Sequence, residues 1–151
     1  MVNSGKTLAQ KALDSAIREM NLKEPDKSFL YEIVYGTIRW RNKLDWIISQ
    51  FVSPKKLKKF QPEILEILRL GLYQLFFIEN IPDYAAVNES VKLAKKYGNI
   101  GASGLINAVL RRTIREKDKI KHLEIEVDPI KCISVNYSHP EWMVKRWIER
   151  Y

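Results

Sequence analysis

Cysteine is nearly absent from this sequence: Cys132 is the only one among 151 residues. A single thiol excludes an internal disulfide and any zinc site built from several cysteines, so nothing points to an oxidising compartment. Long apolar runs are lacking too. No stretch approaches the roughly 20 apolar residues that span a bilayer, and the N-terminus has no apolar signal-peptide core. These absences predict a soluble protein of the cytoplasm with no membrane partner.

Motifs that carry chemistry are also missing. The sequence contains no Gly-rich phosphate loop, no dinucleotide-binding fingerprint and no metal-ligand spacing. Its two histidines, His122 and His139, are predicted to lie at the surface. Cys132 has no local base beside it and is predicted to fill a small space in the core. We therefore expect no catalytic residue, no cofactor site and no metal site in this chain.

Positive charge is what the sequence has in excess. Lysine and arginine number 26 against 18 aspartate and glutamate residues, which gives a net charge of +8. This balance favours an anionic partner such as nucleic acid, although many small basic proteins bind no nucleic acid specifically. Charge raises the question of a nucleic-acid partner without deciding it.

Helical periodicity is the main pattern up to about residue 120. Pro62 suits the first position of a helix that is apolar on almost every face up to Ile78, so this helix is the predicted centre of a bundle. Gly98 is expected to end the following helix. The predicted helix N-caps are Asp26, Asp83 and Ser103. The segments together predict an all-α fold, a compact bundle of five to seven helices with short connections.

The stretch from Ser28 to Val52 has the clearest periodicity. Gly36 lies on its apolar stripe, which predicts a close approach by another helix, because glycine costs about 1 kcal/mol of helix propensity. Whether one helix runs unbroken through Gly36 to Phe51 stays open at this point. The stripe consists of Phe29, Ile33, Gly36, Trp40, Leu44, Ile47 and Phe51.

Exposed cations are predicted beside this stripe and in two further segments. One segment is the connector 53–60, which has four lysines and no acid and is either a solvated loop or a phosphate contact. The other is the basic helix exit after Leu110. Tyr35, Trp40 and Trp46 are the aromatic residues able to stack on an unpaired base, but the position of Trp40 on the stripe favours core packing. The candidate RNA contacts are Arg39, Arg41, Lys43, Lys55, Lys56, Arg111, Arg112 and Arg115.

Two asparagines stand among apolar neighbours in predicted helices. Asn88 and Asn107 are each flanked by residues assigned to the core. A buried amide without a partner costs about 1–3 kcal/mol. Each is therefore predicted to hydrogen-bond a backbone group or a neighbouring helix.

Three stretches of the chain resemble a known family, the helical NusB-like domain at the N-terminus of bacterial ribosomal RNA cytosine-C5 methyltransferases of the RsmB (Sun) type. They are DKSFLYEIVYGTIRW at 26–40, IPDYAAVNESV at 81–91 and GLINAVLRR at 104–112. The resemblance implies a NusB-like helical RNA-binding domain over residues 1–121. The transcription antitermination factor NusB shares the fold, so these stretches alone leave both kinds of protein open.

The C-terminal part resembles the methyltransferases alone. The segment SHPEWMVKRW at 138–147 is similar to the one that joins their helical domain to the catalytic part. Residues 122–151 are therefore predicted to be an extended linker and the first helix of a truncated methyltransferase part. Apolar and acidic residues alternate over 123–127, which indicates either a short strand or an extended linker. Asp128 and Pro129, which follow, are expected to break any helix.

The resemblance places the catalytic machinery elsewhere. In this family the catalytic part carries a Gly-rich S-adenosylmethionine loop and a Pro-Cys nucleophile that attacks the cytosine ring. Neither motif occurs here, and Cys132 follows Lys131 rather than proline, so no catalytic role transfers to any residue. The resemblance implies that S-adenosylmethionine serves the full-length protein and that this chain alone is not an enzyme.

Three functional hypotheses remain from the sequence. The first is an RNA-binding accessory domain that positions small-subunit ribosomal RNA for a catalytic domain absent from this chain, with no DNA partner. The second is a free-standing NusB-type antitermination adaptor that binds RNA and a partner protein. The third is a helical bundle that binds only other proteins, and this hypothesis does not explain the basic patches.

Overall fold

The structure, a computed structural model, describes residues 2–121 and 123–150, with side chains from residue 10 onward, and within these ranges it contains helices and no strand. The all-α prediction is confirmed. Six helices of nine or more residues lie before residue 122, which agrees with the predicted five to seven, α9 is the predicted further helix, and α4 and α8 are shorter additions. The α-helices are α1 (Val2–Met20), α2 (Glu24–Arg39), α3 (Arg41–Ser49), α4 (Pro54–Leu57), α5 (Pro62–Phe77), α6 (Asp83–Tyr97), α7 (Ile100–Arg115), α8 (Pro129–Asn136) and α9 (Glu141–Arg150).

The chain divides into two compact units, and the first is Met1–Gly36. Asn21 ends α1 in the left-handed conformation, with a φ of 48°, which asparagine tolerates better than most residues. Inside this unit the Tyr31 hydroxyl donates a hydrogen bond to the Asp14 carboxylate, and this bond raises the pKa of Tyr31. The predicted N-cap Asp26 is wrong, because α2 begins two residues earlier at Glu24 and Asp26 lies in its first turn.

The helical segment from Ser28 to Val52 is two helices, which answers the question that the sequence left open. Helix α2 ends at Arg39, and Trp40, with φ −98° and ψ 18°, leaves the helical conformation before α3 begins. The predicted stripe is wrong at Phe29, which is exposed, whereas Leu44 and Ile47 are buried and Trp40 and Phe51 pack against the core. The close approach of a helix to Gly36 stays a prediction.

The second unit, Thr37–Tyr151, has α5 at its centre, as predicted. Pro62 occupies the first turn of α5, also as predicted, and the helix packs against α3, α6 and α7. A Cβ atom at Gly71 would lie 2.7 Å from the Ser90 hydroxyl oxygen and 2.9 Å from a Leu110 methyl carbon. Glycine is required there because α6 and α7 both press on α5 at this position.

Two predicted N-caps of this unit are wrong, because each of the two residues lies inside its helix rather than before it. Pro82 is the N-cap of α6, so Asp83 is already the first helical residue. Asn99 caps α7 by accepting a hydrogen bond from the Ala102 amide at 2.7 Å. Ser103 is instead buried inside α7 and donates to the Ile100 carbonyl at 2.7 Å. Gly98 ends α6, as predicted.

The predicted linker contains a helix that sequence reasoning missed. Residues 125–127 form a turn rather than a strand, closed by a hydrogen bond from the Val127 amide to the Glu124 carbonyl at 3.2 Å. Asp128 caps α8 and Pro129 begins it, so the two residues expected to break a helix start one. Helix α8 packs against α3. The functional boundary between residues 121 and 122 stays a prediction.

Candidate nucleic-acid interface

The eight predicted contact residues all lie in the second unit, and the structure separates them into groups. Seven are exposed and Lys43 is half-buried. Arg39 and Lys43 lie together at the bend after α2, and Arg111 and Arg115 lie together on α7. Arg41 begins α3, Arg112 faces a different groove, and Lys55 and Lys56 lie on α4. The connector 53–60 is thus a capped helical turn rather than a loop.

Trp40 packs into the core, as its position on the apolar stripe predicted. Its ring stacks on Phe77 with 4.9 Å between the centroids, and the Tyr73 ring stacks on Phe77 with 5.1 Å between the centroids. The ammonium of Lys43 lies 5.8 Å from the centroids of both Trp40 and Phe77, and the Arg39 guanidinium lies 6.0 Å from Trp40. Cation–π attraction therefore holds these two charges at the surface of the core.

Arg111 and Arg115 border an apolar groove between α6 and α7, which we call the Tyr84 groove. Its volume is about 260 Å³, and its other lining residues are Tyr84, Val87 and Ile114. The Arg111 Nε donates to the Asn107 side-chain oxygen at 2.9 Å, which fixes the direction of this guanidinium. In the part of the chain that the structure describes, neither arginine has a carboxylate within ion-pair distance.

Tyr84 is the residue of this groove that sequence reasoning missed. Its side chain is 71% exposed, which is unusual for a large aromatic residue. The available signal was a lone tyrosine in the first turn of a helix, on the side opposite the core residue Ala86. That signal becomes informative only when α7 is known to place two arginines beside it.

Arg112 differs from its neighbours because its charge is already paired. Its Nε lies 2.7 Å from a carboxylate oxygen of Glu116, and its guanidinium lies 5.4 Å from the centroid of Phe51. It lines a separate groove of about 270 Å³ together with Lys119 and Lys121. A ligand phosphate there would have to compete with Glu116 for the guanidinium.

The two other aromatic candidates have structural partners. The Trp46 indole donates to the Lys121 carbonyl at 3.0 Å, and Lys131 lies 5.2 Å from its ring centroid. Gln50 also holds the Lys121 backbone, accepting from its amide at 2.7 Å. Tyr35 stacks on Tyr31 with 5.8 Å between parallel rings. Trp46 and Gln50 therefore anchor Lys121, the residue just before the predicted linker, to the end of α3.

Arg69 is a buried charge that the sequence reading did not identify, because it lies among the apolar residues of α5. It is 5% exposed and binds Asp45 through Nε at 2.7 Å and Nη2 at 3.1 Å, with Glu66 as a second partner. Burial lowers the pKa of Arg69, but the hydrogen bonds and charges of Asp45 and Glu66 outweigh this, so its pKa is raised. Arg69 is a structural cation that joins α3 to α5.

The remaining polar predictions have mixed outcomes. Asn88 is exposed, and Asn107 accepts from Arg111 on its own helix, so the predicted backbone or interhelical bonds are wrong. Cys132 is buried, as predicted, and its thiol donates to the Leu123 carbonyl at 3.1 Å. His139 is partly buried against Trp147, so its predicted surface position is wrong in part. His122 lies outside the described residues.

Comparison with known proteins identifies the family of this chain. The NusB family matches residues 2–115. The chain is 37% identical to "Probable ribosomal RNA small subunit methyltransferase B" of Bacillus subtilis (strain 168), over 92% of this chain and 30% of that protein. It is 34% identical to the protein of that name from Synechocystis sp., over 95% and 32%, and 35% identical to "Ribosomal RNA small subunit methyltransferase B" of Pseudomonas putida, over 95% and 31%. The chain spans about 30% of the length of these relatives. Because the family match covers most of its residues, the chain belongs to the NusB family.

Proposed function

We propose that this chain is the RNA-binding part of a ribosomal RNA cytosine-C5 methyltransferase. It holds small-subunit ribosomal RNA while a catalytic domain outside this sequence transfers the methyl group from S-adenosylmethionine. The names of the relatives support this proposal, as does the resemblance of residues 138–147 to the segment before the catalytic part. The methyl transfer, the cofactor and the RNA substrate are proposed for the full-length protein.

The observation that best supports RNA binding is the pair of exposed arginines, Arg111 and Arg115, beside an apolar groove. Arginine binds phosphate through two parallel hydrogen bonds. An arginine that is not paired with a protein carboxylate can therefore offer these donors to a phosphate. Arg69 and Arg112, in contrast, are already paired with carboxylates. A net charge of +8 adds a long-range attraction for RNA.

The chain's own cysteine does not fit the role of nucleophile. Cys132 is 6% exposed, and its thiol is engaged with a backbone carbonyl. A nucleophile that attacks a cytosine ring must reach the base. The proposal therefore assigns the nucleophile and the S-adenosylmethionine site to the catalytic domain, and assigns binding alone to this chain.

A free-standing antitermination adaptor is the second candidate, and the NusB family match favours it as much as the first. The reading frame after the codon for Tyr151 separates the two. We expect it to continue into a Gly-rich loop and a Pro-Cys pair. A stop codon at that point, or a continuation without these motifs, contradicts the methyltransferase proposal and leaves the adaptor.

Salt dependence tests RNA binding directly. Each phosphate neutralised on a single strand contributes about −0.7 to the slope of log K against log salt concentration, so three or more contacts give a slope steeper than about −2. The measurement is fluorescence anisotropy of a labelled single-stranded ribosomal RNA fragment over a salt series. An affinity that does not change with salt contradicts RNA binding.

The cytoplasm is the compartment that this function requires, because ribosomal RNA is modified there in bacteria. Among the described residues, no helix is both long enough and apolar enough to cross a bilayer. The location itself is part of the proposal.

A further inference from the structure

The Tyr84 groove combines a largely apolar lining with two cations that have no carboxylate partner among the described residues. One other described groove, formed by Trp142, Trp147, Arg146 and Arg150 on α9, shares these features, but it lies within residues 122–151, which the sequence assigns to the methyltransferase part. Val87 and Ile114 supply its aliphatic side, and the exposed ring of Tyr84 supplies an aromatic side. The groove of Arg112 has a carboxylate in its lining, and the groove beside Trp46 has two. Within the predicted RNA-binding domain, residues 1–121, the Tyr84 groove is thus the described groove that suits a ligand with a flat apolar part and a negative charge.

We propose that the Tyr84 groove binds one unpaired nucleotide of RNA. Its base lies against Tyr84, Val87 and Ile114, and its phosphates are bound by Arg111 and Arg115. This inference rests on the proposed function and deepens it, because it assigns RNA recognition to one groove and to single-stranded rather than paired RNA.

The size of the groove supports a single base. Its volume of about 260 Å³ lies just below the range of about 300–1,000 Å³ typical of small-molecule pockets, so it suits one ring system and excludes a helix. A base in a duplex presents only its edge, whereas an unpaired base presents a face that stacks on an aromatic ring.

The placement of the arginines supports the phosphate contacts. Arg111 and Arg115 are four residues apart, so they lie on the same side of α7, one turn from each other. Asn107 holds Arg111 in place, which lowers the entropy lost when the guanidinium binds. Consecutive phosphates of a strand passing along α7 therefore meet consecutive guanidinium groups.

An acidic peptide is a poorer fit to the same groove. Apart from the two guanidinium groups, the lining side chains offer only the Tyr84 hydroxyl for hydrogen bonding. A peptide backbone buried there would leave amides and carbonyls without partners, which is unfavourable. A nucleobase keeps its polar edge in solvent while its face is stacked.

Paired variants on α6 test the stacking. Tyr84 and Tyr97 are both exposed tyrosines of this helix, but Tyr97 lies outside the groove, with Lys96 beside its ring at 5.4 Å. We expect Tyr84→Leu to weaken binding of a labelled single-stranded RNA about 5-fold or more, since base–aromatic stacking is of that strength. Tyr84→Phe keeps the ring and should bind within about 2-fold of the wild type, and so should the matched control Tyr97→Leu. Circular dichroism confirms that each variant is folded.

A spectroscopic signal separates stacking from loss of structure. The probe is the same RNA strand carrying the fluorescent base 2-aminopurine, which is quenched when it stacks. The wild type and Tyr97→Leu should quench it, and Tyr84→Leu should not. The RNA duplex of the same sequence should bind more weakly than the single strand and should not distinguish Tyr84→Leu from the wild type.

The failures of the two proposals are distinguishable. Salt-dependent binding by the wild type together with unchanged affinity and quenching in Tyr84→Leu overturns the groove assignment and leaves RNA binding in place. No salt-dependent binding by the wild type overturns both. Displacement of the RNA by polyglutamate at equal charge concentration overturns the assignment to a nucleotide, because it identifies a groove for acidic peptides.

Discussion

Gly71 and Gly104 are both interior residues of helices, but their surroundings are opposite. A Cβ atom at Gly71 would lie within 3 Å of Ser90 and Leu110, whereas one at Gly104 would meet no atom within 4 Å. Leu110 is fully buried, and the Ser90 hydroxyl is held by the Ala86 carbonyl at 2.8 Å, so neither can move aside freely. The same substitution should therefore have opposite effects at the two positions.

We predict that Gly71→Ala lowers the free energy of unfolding by about 1–3 kcal/mol, because the added methyl group overpacks the core. Gly104→Ala should raise it by about 0.5–1 kcal/mol, because alanine loses less backbone entropy in a helix. Urea denaturation monitored by circular dichroism measures both values. Equal effects of the two substitutions would mean that α6 and α7 do not press on α5 at Gly71.

Single residues show where the sequence was informative and where it was not. The packing of Trp40 against the core followed from its position on the apolar stripe, and the burial of Cys132 followed from the absence of a local base. The buried charge of Arg69 did not, because its partner Asp45 lies 24 residues earlier and only the packing of α3 on α5 brings the two together. Tyr84 was missed for the same reason, since the arginines beside it belong to another helix.

The N-terminus of α7 depends on a single side chain. The Asn99 side-chain oxygen accepts from the Ala102 amide, one of the four amides that a helix leaves without a partner in its first turn. We predict that Asn99→Ala lowers the free energy of unfolding by about 1 kcal/mol.

The control for this cap is Asn80→Ala, in the exposed turn before α6. A surface substitution of this kind should change the free energy of unfolding by less than about 0.5 kcal/mol. Both values come from the same urea denaturation experiment. Equal losses in the two variants would rule out a specific capping role for Asn99.

Helices were easier to predict than their ends. The apolar residues located α5, α6 and α7, because the buried surface of a helix is encoded over many positions. Each N-cap is encoded by one residue, and Pro82 and Asn99 took the role assigned to Asp83 and Ser103. Helix α8, with eight residues, has too few positions to show a period, and its packing against α3 is a long-range effect.

At the scale of the whole molecule, the net charge of +8 and the placement of individual cations make different contributions to RNA binding. Net charge attracts any polyanion from a distance, and the strength of this attraction depends little on which cation is removed. Direct phosphate contacts depend on position, and each releases counterions that appear in the salt slope. Arg111 and Arg112 are adjacent in sequence, yet Arg111 borders the Tyr84 groove and Arg112 is paired with Glu116.

This adjacent pair separates the two contributions, because Arg111→Gln and Arg112→Gln remove the same charge from the same helix. We predict that Arg111→Gln weakens single-stranded RNA binding and makes the log–log salt slope shallower by about 0.7, the loss of one phosphate contact. Arg112→Gln should leave the slope unchanged. Both melting temperatures should stay near the wild-type value, since both side chains are exposed. Equal losses of affinity with unchanged slopes would instead mean that this surface binds RNA through its net charge alone, without a defined phosphate site on α7.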